Sequence, residues 1–204
     1  MKRLLSVMVL VLGGVGTAWA SGPNWETHEQ PVDPATLAPA PHPILKAGAA
    51  ETEKTDTKGS WENRITDVQG TRYTIDSGGR CRITFPELMA EDIHGVCGDG
   101  TWTNTVVAES GTLWPLKVGN TKQWRIEGTN SYGKSWKRTD VCTVQGTVRV
   151  ETTNGTFAAY KVYCDFSWAQ RTYYYAPEAG RIVRQIRVTT GGRKTRVSDY
   201  IPLE

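Results

Sequence analysis

Apolar and polar residues alternate along Val144-Gln145-Gly146-Thr147-Val148-Arg149-Val150, the period of a β-strand with one wet face. The same alternation recurs in Thr71 to Ile75, Cys81 to Phe85, Gln123 to Glu127 and Ile182 to Val188. Turn-forming clusters separate the runs: Ser77-Gly78-Gly79, Gly98-Asp99-Gly100, Asn154-Gly155 and Gly191-Gly192. Only Pro86 to Ile93 offers a helix, with proline in its first turn and Leu88, Met89 and Ile93 apolar. Short strands with Gly-rich turns predict an all-β domain: an antiparallel meander forming a sandwich or half-open barrel, with at most one short helix.

The pattern changes before residue 61. Lys2 and Arg3 precede an apolar run from Leu4 to Val15, and Ala18-Trp19-Ala20 is an A-x-A cleavage site. Residues 1–20 therefore read as a secretory signal peptide, which predicts a periplasmic or secreted protein. Cleavage there leaves Ser21 first, so a lipid-anchored form is not expected, and no second apolar run approaches the roughly 18–20 residues of a membrane span. Residues 21–60 hold six of the ten prolines, no strand or helix period from Ala35 to Ala50, and a mixed-charge run from Glu51 to Lys58. That composition predicts a disordered, solvated Pro/Ala-rich linker. His28 and His42 lie in it, too far apart to suggest a metal site. A single domain, residues 61–204, is left.

This domain carries 19 basic and 15 acidic residues, a mild excess that does not call for nucleic acid. All four cysteines lie beyond residue 80, and in an oxidising compartment an even count reads as disulfides rather than metal ligands. Opposing Cys142 and Cys164 across a hairpin sets Val144 against Val162, Gly146 against Tyr160 and Val148 against Ala158, apolar against apolar. A two-residue turn at Asn154-Gly155 breaks that parity. A three-residue loop, Thr152 to Asn154, is expected instead, with Asn154 or Gly155 at positive φ. Cys142–Cys164 then follows from the register and Cys81–Cys97 by elimination.

Several motifs invite chemistry. Gly128-Thr129-Asn130-Ser131-Tyr132-Gly133-Lys134-Ser135 fits the phosphate-loop pattern, but Trp136-Lys137-Arg138-Thr139 is a poor opening for the helix that such a loop needs. A polar hairpin loop is the better reading. His94, the domain's only histidine, could act as a general base but has no recognisable partner constellation. Its acidic neighbours Glu91, Asp92 and Asp99 read as a surface loop. Glu127, Asp140, Glu151, Asp165 and Glu178 are candidates for a glycosidase-type pair, though most carboxylates on alternating strands face water. No cofactor, metal or catalytic residue is expected from these patterns.

Tyr173-Tyr174-Tyr175 places Tyr174 on the face opposite its two neighbours, so at least one tyrosine is expected at the surface. Arg181, Arg184, Arg187, Arg193, Lys194 and Arg196 make the last hairpin basic. Arg184 shares the parity of Ile182, Ile186 and Val188, so it should pair with a carboxylate or lie at an edge. Tyr174 and Arg187 are the candidates to share a binding face for an envelope protein or an anionic polymer.

Three blocks carry a resemblance: Leu113-Trp114-Pro115-Leu116-Lys117-Val118-Gly119, Gly155-Thr156-Phe157-Ala158-Ala159-Tyr160-Lys161 and Tyr173-Tyr174-Tyr175-Ala176-Pro177-Glu178-Ala179-Gly180. In this order they resemble blocks of a group of bacterial envelope proteins of unknown function. The resemblance implies a bacterial, periplasmic or secreted, β-rich protein and brings no assigned activity. The expected function is thus a non-catalytic binding or scaffolding domain of the cell envelope. A lipid or acyl-chain carrier with an apolar concave sheet face is the alternative, and an envelope hydrolase a second one.

Overall fold

The computed structural model describes residues 26–57, 59–190 and 195–203, so the expected signal peptide and the Gly191-Gly192 turn lie outside the described residues. The alternating runs fold as strands: β1 (Glu29–Pro31), β2 (Ala50–Thr55), β3 (Gly59–Gln69), β4 (Arg72–Ser77), β5 (Cys81–Phe85), β6 (His94–Cys97) and β7 (Gly100–Gly111). There follow β8 (Thr121–Asn130), β9 (Ser135–Thr152), β10 (Gly155–Asp165), β11 (Ala169–Ala176), β12 (Arg181–Thr189) and β13 (Thr195–Pro202). From β2 onward each strand pairs antiparallel with the next, and β13 pairs back onto β2, Ser198 opposite Thr55 and Tyr200 opposite Glu53. The meander closes into a twelve-stranded barrel, neither a sandwich nor half-open.

The closing strand lies in the stretch read above as linker. Glu53 and Thr55 of β2 are buried, and Glu51 and Glu53 line the interior, so its inward side is polar and shows no apolar alternation. The described part of residues 21–60 upstream of it is ordered too. β1 adds to the second half of β9, Glu29 opposite Val150, and the Tyr160 hydroxyl lies 3.0 and 2.9 Å from the carbonyls of Leu37 and Ala38. Ala40 is buried and bridges to Leu116. These backbone bonds and apolar contacts offset the ordering entropy that a free linker would keep.

Inside and outside follow the strand period. In β8, Trp124 and Ile126 point in and are buried, while Gln123, Arg125 and Glu127 are exposed outside. Charged outward positions of this kind are unlike the apolar band of a membrane-spanning barrel. The main core fills one side of the barrel, with Leu113, Leu116, Trp124, Val144, Val162 and Tyr175 around the Cys142–Cys164 disulfide. The second disulfide joins Cys81 to Cys97.

The β9–β10 hairpin keeps Cys142 opposite Cys164 and Val144 opposite Val162, then shifts by one residue at a bulge. Beyond it Gly146 faces Lys161 and Val148 faces Ala159, and a two-residue turn, Thr153-Asn154, replaces the expected three-residue loop. Gly155 has φ +125, in the region that favours glycine. The bulge switches faces: Val148, Val150 and Ala159 now meet Tyr174, Ala176 and Val183 in a second core, outside the barrel wall. In the same layer Arg184 is fully buried and forks onto Asp199, with contacts of 2.6 and 3.0 Å, the carboxylate partner its position demanded. Asp199 also accepts from the Thr153 amide at the hairpin tip, 2.7 Å away.

Residues 86–93 form no helix. They enter the barrel between β5 and β6 as an irregular plug, with Met89, Ala90 and Glu91 buried. Helix propensity over so short a run is weak and yields to interior contacts. The Met89 carbonyl sits against both sulfurs of the Cys142–Cys164 bridge, and Glu87 pairs with Lys122 at 2.6 Å.

Candidate functional site

A twelve-stranded barrel is too wide for its own side chains to fill. On the side of the plug away from the main core, strands β2–β5 and β11–β13, with residues 44–46, line a half-sheltered cavity of about 500 Å³. Its size lies in the range of roughly 300–1,000 Å³ usual for small-ligand pockets. One wall is apolar and comes from alternate inward positions of β3, β4 and β5: Ile65, Tyr73, Ile75, Ile83 and Phe85, with Leu88 and Met89 of the plug. Tyr73 and Phe85 stack at 5.1 Å. The wall opposite is polar, with Glu51, Glu53, Asn63, Gln185 and Tyr200 beside Arg171, Arg181, Arg187 and Arg196.

Three of these arginines form a row. Arg171, Arg187 and Arg196 are direct cross-strand partners on β11, β12 and β13, and all three line the cavity. Arg171 pairs with Glu91 at 3.6 Å and its guanidinium reaches the Tyr173 hydroxyl. Arg196 pairs with Glu53, which Asn63 and Ser198 also hold. Arg187, among the described residues, has no ion pair or hydrogen bond. Its guanidinium lies 4.5 Å from the centre of the Trp168 ring, which Arg171 also approaches at 5.1 Å. Burial, then the charges of Arg171 and Arg196, pull the Arg187 pKa below its ordinary value. The Nε atoms of all three arginines are buried without an acceptor.

A carboxylate cluster lies behind the row. Burial works against the charge on Glu91, but Arg171, a hydrogen bond with Asp92 and then Arg138 hold it below the usual carboxylate range. Burial, with the hydrogen bond to Glu91 and its charge, pushes Asp92 up to about 7 against donation from Trp102. Asp140 accepts from Arg138 at 3.0 and 3.1 Å, yet burial raises it to about 6. In the cavity itself, burial raises Glu51 to about 7, opposed by Arg181.

The two residues expected to share a binding face are on opposite faces of the sheet. Tyr174 stands opposite Arg184 and is buried in the outer core, its hydroxyl donating to Glu29 of β1. Arg187 stands opposite Arg171 inside the barrel. The parity of the tyrosine triplet holds, but Tyr173, Tyr174 and Tyr175 are all buried, because the bent hairpin covers the outer face. His94 is exposed on β6, its ring 3.4 Å from the Thr103 hydroxyl. The phosphate-loop pattern spans the β8–β9 hairpin turn, where Asn130 Oδ1 accepts the amides of Tyr132 and Lys134 and strands stand on both sides. Glu127, Glu151, Asp165 and Glu178 are exposed, whereas Asp140 is fully buried. Glu91 and Asp92, read as surface loop, are interior.

Sequence reasoning put Arg196 in the same basic hairpin as Arg187 but missed Arg171 and Trp168 as its neighbours and Glu53 as the partner of Arg196. The spacing of Arg187 and Arg196 across a short hairpin was a usable signal; nothing local marked Arg171 or Glu53.

No family model matches the chain, and the search of curated proteins finds no match either. Among solved structures, the chain is similar to the crystal structure of the hypothetical lipoprotein YmcC from Escherichia coli (K12). The TM-score is 0.49 at 9% sequence identity, over 76% of this chain and 84% of that one. So weak a likeness carries no functional argument. The three blocks quoted above are matched by no family model, and the two disulfides are consistent with an extracytoplasmic location.

Proposed function

We propose that this barrel is a non-catalytic binding protein of the bacterial cell envelope that holds a small amphiphilic ligand, an acyl chain or a molecule like it, in its interior. One observation carries the reading: a cavity of about 500 Å³ with an isoleucine and aromatic wall on one side and a polar wall on the other. Apolar surface of that kind is stabilised by covering it, at roughly 25 cal/mol per Å², and the polar wall can orient what covers it. The carrier reading thus moves ahead of polymer or scaffold binding, for which the Tyr174 and Arg187 face was the basis. Hydrolysis is disfavoured because, of the two carboxylates in the cavity, Glu53 is held by Arg196, Asn63 and Ser198, while Glu91 and Asp140, outside the lining, are tied to arginines. A periplasmic or secreted site of action fits the disulfides and the signal-like N-terminal run.

Titration with N-phenyl-1-naphthylamine, whose emission rises in apolar surroundings, tests the reading. Saturable binding at one probe per chain is expected, displaced by dodecanol and weakened in Ile75→Trp, which fills the cavity. A linear, non-saturating response would refute it.

A further inference from the structure

The arginine row has a property that the cavity alone does not require. Three guanidinium groups on adjacent strands stand in direct register, and among the described residues two carboxylates, Glu91 and Glu53, pair with them. The central one, Arg187, makes no ion pair among the described residues: an aromatic ring and two like charges stand beside it, and Glu91, which opposes those charges, is itself paired with Arg171. Bringing cations together away from bulk water is costly unless an anion answers them. The buried Nε atoms of Arg171, Arg187 and Arg196, all without acceptors, mark the same deficit. Such guanidinium N–H groups match a carboxylate or a phosphate oxygen pair in geometry and charge.

We propose that Arg187, flanked by Arg171 and Arg196, binds the anionic head group, a carboxylate or phosphate monoester, of the ligand whose apolar part lies against Ile65, Ile75 and Ile83. This rests on the carrier reading and adds the ligand's charge and its direction in the barrel. The carboxylates that face the row, Glu53 and Glu91, are engaged by Arg196 and Arg171, so Arg187 keeps its charge for the ligand. Trp168, 37% exposed, lies over Arg187 and Arg171 and shields that end of the row from water.

Head groups on one chain length separate the two ideas. Dodecanoate and dodecyl phosphate should displace the naphthylamine probe at least about tenfold better than dodecanol or dodecyltrimethylammonium, the scale of one charge-assisted pair. Arg187→Gln should remove that advantage and leave dodecanol unchanged, and Arg187→Lys should restore part of it. Equal affinity of dodecanol and the anions for the wild type overturns the head-group assignment while the carrier reading stands. That comparison needs no variant to fold. Binding of none of the four defeats the carrier reading itself. Inorganic phosphate alone should compete weakly; competition equal to that of dodecyl phosphate would make the row a free-anion site and overturn the head-group assignment.

Discussion

Arg184 shows how far a single position can be read. An arginine at an apolar parity must find a carboxylate, and it does, in Asp199, but the sequence has no means of saying which carboxylate. Both side chains are fully buried, and Asp199 also anchors the hairpin tip through the Thr153 amide. Removing one partner of a buried pair leaves an uncompensated charge, which typically costs about 3–5 kcal/mol. Asp199→Ala should therefore lower the urea-unfolding free energy by about that amount. A loss below about 1 kcal/mol would mean that Arg184 finds water or another acceptor. Tyr174 teaches the complementary lesson. Its face was legible from parity, while its burial depends on a hairpin that bends only because of a bulge at Lys161 and Val162.

Among the elements, those with an apolar inward side were legible, and the ones with polar interiors were not. β5 spans Cys81–Phe85 as the alternation predicts, and β8 and β12 extend their predicted runs by a few residues. β2 escaped notice because Glu51 and Glu53 face an arginine-rich wall where strands normally place aliphatics. The plug looked helical for the opposite reason: Leu88 and Met89 are apolar, yet what fixes them is the barrel around them.

Buried carboxylates, Asp92 of the plug among them, also make stability depend on pH. Asp92, Asp140 and Glu51 have pKa values of about 7, 6 and 7 in the folded protein, raised from 3.8, 3.8 and 4.5. Between the low and the raised values the folded chain keeps protons that the unfolded chain has released. Stability from these groups therefore falls as pH rises from about 4 to 7. Glu91, held low, acts in the reverse sense, and its contribution is lost as pH falls below its ordinary 4.5. The melting temperature should thus be higher at about pH 5 than at about pH 7.5, and Asp92→Asn should shrink the difference. A melting temperature that rises from about pH 5 to 7.5 would contradict this ordering.

For the whole molecule, closure creates the candidate site. A half-open sheet would leave Ile65, Ile75 and Ile83 on a concave surface, whereas the β13–β2 pairing encloses them with the arginine row in one half-sheltered space. The candidate site is thus a property of the closed barrel, assembled from strands far apart in the chain, which is why single motifs did not reveal it. Nuclear Overhauser contacts from a bound dodecanoate to isoleucine, leucine and valine methyl groups test this account most directly. Contacts from the ligand's chain to Ile65, Ile75 and Ile83, with none to the outward Val107 and Val118, are the predicted result. Contacts confined to Val107 and Val118 would place the ligand on the outer surface and contradict the account.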